Sequence, residues 1–299
     1  MNVVEARGLG KRYGRTWALR DLDLNVPSGR IVALVGPNGA GKTTFLQLAM
    51  GFAEPSAGTV MCFGLSPRRA AGAFLPRVGY AAQDPPLFRR FSVSDLLEMG
   101  SRLNSRWDDS MARARLGRLG IALNRSVSTL SGGMRAQVAL VLALAKLPEL
   151  LILDEPMASL DPLARHEFMQ LLMEASAEQG LTVVLSSHII GDLRATCDYL
   201  VLLTRGRTQL VGDMDSIVSG HKRLVGPPDL VDAISHSQQV VQVDRADRQA
   251  SVLVRMRQPL LDPRWESYQV DLDQIVLAYL SRGSTDAINH AETPAQAIG

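Results

Sequence analysis

Cysteine and net charge are both nearly missing from this chain of 299 residues. Only Cys62 and Cys197 occur, far apart and without metal-ligand spacing, which leaves no cysteine framework or thiolate metal centre and fits a reducing compartment. Both are expected as buried, inert thiols. With 32 basic and 30 acidic residues the formal charge is +2, so no charge excess marks the chain for nucleic acid. A long apolar run is missing as well. The most apolar stretch, "VALVLALAKLPELLILD", is broken by Lys146, Pro148 and Glu149, short of the roughly 20 apolar residues a spanning helix needs. The first residues, "MNVVEARGLGKRYG", carry Glu5, Arg7, Lys11 and Arg12 and no apolar centre, so neither a signal peptide nor a bilayer crossing is expected. What remains, 46% hydrophobic and 21% charged, is the composition of a folded soluble protein long enough for one large domain or for one plus a smaller one.

Against that ordinary background, "GPNGAGKTT" at 36–44 makes a poor strand and a poor helix. It fits G-x-x-x-x-G-K-[ST] through Gly36, Gly41, Lys42 and Thr43, with Pro37, Asn38, Gly39 and Ala40 between and Thr44 after. The apolar, β-branched run "RIVALVG" before it reads as a buried strand, and "KTTFLQLAMG" after it as a helix closed by Gly51. Strand, glycine-rich loop and helix are the context a phosphate-binding loop requires. Glycines let backbone N–H groups turn toward phosphate oxygens, and the helix aims the positive end of its dipole at the same anion. Lys42 is placed to reach the β and γ phosphates and the Thr43 hydroxyl to ligate Mg²⁺. The loop is expected to hold a nucleoside triphosphate.

Further buried strands are legible at "ELLILD" (149–154), "LTVVLS" (181–186) and "DYLVLL" (198–203), the last turning through "TRGR" into "TQLVG" as a hairpin. Helical patterns, notably "GGMRAQVALVLALAK" and "PLARHEFMQLLMEASAEQ", separate them. Such alternation implies an α/β fold with a mostly parallel sheet. The stretch 84–145 carries helical patterns and no strong strand, and reads as a helical subdomain inserted between two strands. A first domain is expected over 1–219. Beyond it, "VVQVDRADRQASVLVRMR" reads as a hairpin, and "DLDQIVLAYLSR" as a helix with Leu272, Ile275, Val276, Tyr279 and Leu280 on one face, so 220–282 form a small α/β accessory domain. Residues 283–299 are polar and rich in small residues, and are expected to be disordered.

Two more motifs bear on the loop. "LLILDEP" ends an apolar strand in Asp154 and Glu155, at the carboxyl edge where a phosphate loop sits. Asp154 can hold Mg²⁺ through a water, and Glu155 can orient or deprotonate the attacking water. "LSGGM", 130–134, puts Ser131 and the amides of Gly132 and Gly133 at a helix start, a ready phosphate site.

This stretch resembles the LSGGQ signature of ATP-binding-cassette (ABC) ATPases, with Met134 in place of the usual glutamine. The resemblance covers roughly residues 1–215 and implies a P-loop NTPase cassette, a mostly parallel core sheet with antiparallel N-terminal strands and an inserted helical subdomain. It gives roles to particular positions. Tyr13 in "KRYG" matches the aromatic that stacks on adenine, with an ordinary core or surface tyrosine as the alternative; Gln83 in "VGYAAQD" matches the Q-loop glutamine that touches Mg²⁺. Asp161 in "SLDP" matches the D-loop at the dimer interface, and His188 in "VVLSSHI" the switch histidine at the γ phosphate. Gly191 and Asp192 stand where a glutamate-rich helix start is usual, which is expected to loosen the helix after His188.

In that family two protomers sandwich two ATPs, each between one chain's phosphate loop and the other chain's signature, and hydrolysis reopens them. The resemblance therefore implies a second ATPase subunit, identical or different, and a separate membrane permease that receives the stroke, with no nucleic acid involved. The chain would sit peripherally on the cytoplasmic face of the cell membrane. The C-terminal extension resembles that of ABC-2-type exporters, whether it steadies the dimer, regulates it or does neither. The apolar cluster Leu87, Phe88 and Phe91 is either a partner contact or a satellite of the core. The alternatives to transport are a soluble ABC ATPase and a regulatory nucleotide-binding module.

Overall fold

Five short, largely apolar runs pair in parallel as the core of the main sheet. The computed structural model describes residues 1–291 apart from Ser159, Asp192 and Leu261, with side chains as far as Arg282. Strands β1 (Asn2–Tyr13), β2 (Thr16–Pro27) and β4 (Ala57–Cys62) form an antiparallel sheet in the order β2-β1-β4. The six-stranded sheet holds β3 (Ile31–Val35), β5 (Val78–Ala81), β6 (Leu150–Leu153), β7 (Thr182–Ser187), β8 (Tyr199–Thr204) and β9 (Arg207–Asp213) in the order β5-β6-β7-β3-β8-β9. From β5 to β8 the pairing is parallel throughout. Every residue of β3, β6 and β7 is buried, as strands covered on both faces require.

Helix α1 (Lys42–Ala49) follows β3 directly, and α2 (Ala71–Phe74) is a single turn before β5. Between β5 and β6 the described residues form no strand element; α3 (Val93–Leu103), α4 (Asp109–Arg118) and α5 (Gly132–Ala145) fill the interval. Their starts are fixed locally. Ser92 and Asp95 make a capping box for α3, and Asp108 accepts from the Met111 N–H to cap α4. Helix α6 (Pro162–Gln179) matches the periodic segment of the sequence, with proline at its first position and Gly180 in the left-handed region at its end. Among the described residues the helix expected after His188 does not form. Leu193, Thr196 and Cys197 donate to carbonyls three or four residues back in a chain of turns, and Asp192 lies outside the described residues.

The chain divides into two compact units, Met1–Thr208 and Gln209–Gly299, earlier than the change in composition near 219. The second unit contains α7 (Met214–Gly220), β10 (His221–Gly226), α8 (Val231–Ser237), β11 (Gln239–Arg245), β12 (Ala250–Arg255), β13 (Glu266–Tyr268) and α9 (Leu272–Ala291). Beyond β9, β10 to β13 make an antiparallel sheet in the order β11-β12-β10-β13, with β11 and β12 as the expected hairpin. Leu272, Ile275, Val276 and Tyr279 of α9 are buried, while Leu277 is exposed. The segment 283–299 enters the described structure only through the last turns of α9, and 292–299 lie outside it. Cys62 and Cys197 are unpaired and buried, and burial pushes both thiols up to about 12. Among the described residues no helix is long and apolar enough to cross a membrane.

Candidate nucleotide-binding site

Strand β7 lies between β6 and β3, and this order builds the site. The carboxyl ends of all three strands point the same way, so the loop after β3, the acidic pair after β6 and the end of β7 converge at one edge. The loop itself is tightly packed. A Cβ on Gly36 would stand 2.3 Å from the Leu203 carbonyl oxygen, closer than any side chain tolerates. Gly41 has φ +102°, and a Cβ there would meet the Ala18 carbonyl oxygen at 2.7 Å. Because Gly41 offers no side chain, α1 starts without a side-chain cap, leaving its first-turn N–H groups for an anion.

A cleft of about 510 Å³ opens over this loop, lined by Tyr13, Ala18, Asn38, Gly39, Ala40, Gly41, Lys42, Thr43, Thr44, Gln83, Glu155 and His188. Lys42 is 5% exposed; its Nζ donates to the Gly36 carbonyl at 2.7 Å and the Pro37 carbonyl at 3.3 Å, and lies 3.1 Å from Glu155 Oε1. The other carboxylate oxygen, Oε2, accepts from His188 Nδ1 at 2.6 Å. Glu155 thus joins the loop lysine to the histidine after β7. Tyr13 is half exposed at the rim, with Lys11 Nζ 5.2 Å from its ring centroid.

Asp154 lies at the base of the same edge. Its Oδ1 accepts from Thr43 Oγ1 at 3.1 Å and from Ser186 Oγ at 2.8 Å. Asp154 and Thr43 are hard oxygen donors joined by one hydrogen bond, a set that suits Mg²⁺, which takes few protein oxygens and completes its shell with water and phosphate. Beside Asp154, Tyr80 is held above the ordinary phenol range, by burial first and then by the aspartate's charge.

Sequence reasoning assigned nothing to Ser186. Its hydroxyl donates to Asp154 and accepts from the Glu155 N–H at 2.7 Å, holding both acidic residues. The only hint was position, a serine ending an apolar strand. Glu155 itself has φ +47°, a left-handed backbone that costs a side-chain-bearing residue about 1–2 kcal/mol and is retained where the surroundings enforce it.

Ser131, Gly132, Gly133 and Asp161 do not line the cleft. Ser131 caps α5, accepting from the Met134 N–H at 3.2 Å, and Asp161 caps α6, accepting from the Ala164 N–H at 2.9 Å. Met134 meets Arg125 Nη1 through its sulfur at 3.5 Å. Phe88 is 56% exposed and its ring centroid lies 5.1 Å from that of Phe91, so this pair is an open surface cluster. A larger cleft, about 740 Å³, surrounds Arg77 and Glu149 before the start of β6, and no assigned site residue reaches it.

A glycine-bound phosphate loop after β3, an acidic pair after β6, one strand removed, and an inserted helical segment define a P-loop ATP-binding cassette. The ABC transporter family profile matches residues 19–158. The chain is 39% identical over 211 residues to the Nod factor export ATP-binding protein I of Cupriavidus pinatubonensis, covering 69% of this chain and 64% of that protein, under two thirds of its length. It is 34% identical over 220 residues to the thiamine import ATP-binding protein ThiQ of Vibrio cholerae, covering 70% of this chain and 89% of that one. The solved structure of cbiO1 from Clostridium perfringens, part of the ABC transporter complex cbiONQ, superposes with a TM-score of 0.64 at 29% identity, over 73% of this chain and 91% of its own. The chain belongs to the ABC transporter family, and its first unit has the fold of an ABC transporter ATP-binding cassette.

Proposed function

We propose that the chain is the ATP-hydrolysing subunit of an exporter, closing with a second ATPase subunit around two ATPs and driving a separate membrane permease. The observation that carries this reading is the joining of Lys42, Glu155 and His188 in one cleft, over an Asp154 fixed by Thr43 and Ser186. ATP phosphates would lie on the loop amides and the start of α1, with Tyr13 at the rim stacking on the adenine. Lys42 would exchange its loop carbonyls for the β and γ phosphates. Glu155 would orient the attacking water and take its proton, and His188, held through Nδ1, would steady the γ phosphate. Thr43, Asp154 and Gln83 would hold Mg²⁺, which neutralises phosphate charge when bound. Ser131, Gly132 and Gly133 would meet the second subunit's nucleotide, and Asp161 would cross the dimer interface. In this reading the chain works at the cytoplasmic face of the membrane, held there by its permease.

The Nod factor export relative supports export; the thiamine import relative supports a second reading as an import ATPase. Purifying the tagged chain from detergent-solubilised native membranes tests the partnership. A stoichiometric multi-spanning protein is expected, and recovery as a partner-free ATPase would count against transport. With that permease in hand, ATP-driven accumulation inside inside-out vesicles marks export, and its absence there with uptake by right-side-out vesicles marks import.

A further inference from the structure

The two segments that the proposed closure presents to a second subunit are built on one pattern. Each opens with a buried leucine, Leu130 or Leu160, followed by the capping side chain of Ser131 or Asp161. An arginine four residues after each cap then reaches back: Arg135 Nη1 donates to the Leu130 carbonyl and Arg165 Nε to the Leu160 carbonyl, both at 3.0 Å. The two helix starts also touch. A Cβ on Gly133 would stand 3.2 Å from the Cβ of Ala164 and 3.8 Å from Cδ2 of Leu160, the first tighter than ordinary van der Waals contact. One turn further along, the buried Gln137 donates through Nε2 to Glu167 Oε2 at 2.8 Å, a charge-assisted bond between the same two helices.

We infer that Gly133 is a positioning residue within its own protomer. Its missing side chain lets the start of α5 seat on Ala164, so that Ser131 and Asp161 are carried as one rigid pair. The inference rests on the proposed ATP-driven closure. A Cβ at 133 would press on Ala164 so that α6 must give by a few tenths of an ångström, and overpacking there would push the two caps apart. Gln137 and Glu167 hold the helices in register behind that contact.

The test is a compensation experiment in the Glu155→Gln chain, reading Mg-ATP-dependent dimerisation by sedimentation. Gly133→Ala is expected to weaken dimerisation roughly tenfold, and Ala164→Gly alone to change it by less than about threefold. The double substitution removes the clash and is expected to return to within about threefold of the parent. A double variant as weak as Gly133→Ala would show that the seat on Ala164 does not set the caps, and would overturn the inference. So would a Gly133→Ala chain that dimerises like its parent. A parent that stays monomeric with ATP, while still binding it, overturns the proposed closure itself and the inference with it.

Discussion

Glu155 is held from both ends: Ser186 takes its backbone N–H, while Lys42 and His188 share its carboxylate. A left-handed backbone at a residue with a full side chain is what this grip maintains, and it aims the carboxylate into the cleft. Replacing Glu155 by Gln keeps the shape and removes the base, so steady-state ATP turnover is expected to fall by roughly 10²- to 10⁴-fold with nucleotide still bound. Brisk turnover by that chain would remove Glu155 from the role. Ser186→Ala strips a donor from Asp154 and an acceptor from Glu155 together. It is expected to lower kcat about tenfold or more while KM for ATP moves by less than about threefold, because the loop amides and Lys42 are untouched. A kcat equal to that of the natural chain would show that the serine merely fills space. Ser186 was illegible in the sequence because its role comes from strand order, with β7 between β6 and β3, and nothing local records that order.

At the scale of elements, the segments with strong local rules were the legible ones. Helix α6 was bounded by its proline and glycine, β3 and β6 by unbroken apolar runs, and the phosphate loop by its glycines. The helix after His188 was expected from resemblance, and there turns replace it, around Gly191 and through short-range hydrogen bonds. Ser131→Arg, at the exposed cap of α5, is expected to block ATP-dependent dimerisation of the Glu155→Gln chain while each chain still binds nucleotide, because the cleft does not include that cap. Undisturbed dimerisation would contradict the use of this helix start across the interface. In the second unit, β10 is tied to α7 and α9 through one buried ring: His221 Nδ1 donates to the Ile217 carbonyl at 2.6 Å, and Nε2 accepts from the Tyr279 hydroxyl at 3.1 Å. Burial lowers the pKa of His221 below its ordinary 6.5, the Arg255 charge adds to the lowering, and the Ile217 carbonyl opposes it. Below that pH the unfolded chain takes up a proton that the folded one refuses, so stability falls as pH drops through the window beneath 6.5 and is unaffected well above it. Thermal unfolding at about pH 7.5 and about pH 5.5 should therefore show a larger acid loss for the natural chain than for His221→Asn. Equal losses would mean that folding leaves the proton affinity of the histidine unchanged.

For the whole molecule, the sequence carried the α/β class, the inserted helices and the clustering of the loop with the Asp154–Glu155 pair, since each rests on periodicity or on a motif with its own chemistry. The division into units was less visible. It falls at Thr208, within β9, where composition does not change, whereas the change in character near residue 219 follows α7. The antiparallel sheet of the second unit shows one hairpin in its pattern, but β10 and β13 are short and half polar and declare themselves only by pairing. The central claim is that ATP is hydrolysed at a site completed by a second copy or partner, because Ser131 and Asp161 stand outside the cleft that holds Glu155. The measurement that tests it most directly is specific ATPase activity against chain concentration, with the Glu155→Gln chain alongside. The account predicts activity per chain that rises with concentration to a plateau and is all but absent in the variant; activity per chain that stays flat, or that survives in the variant, would contradict it.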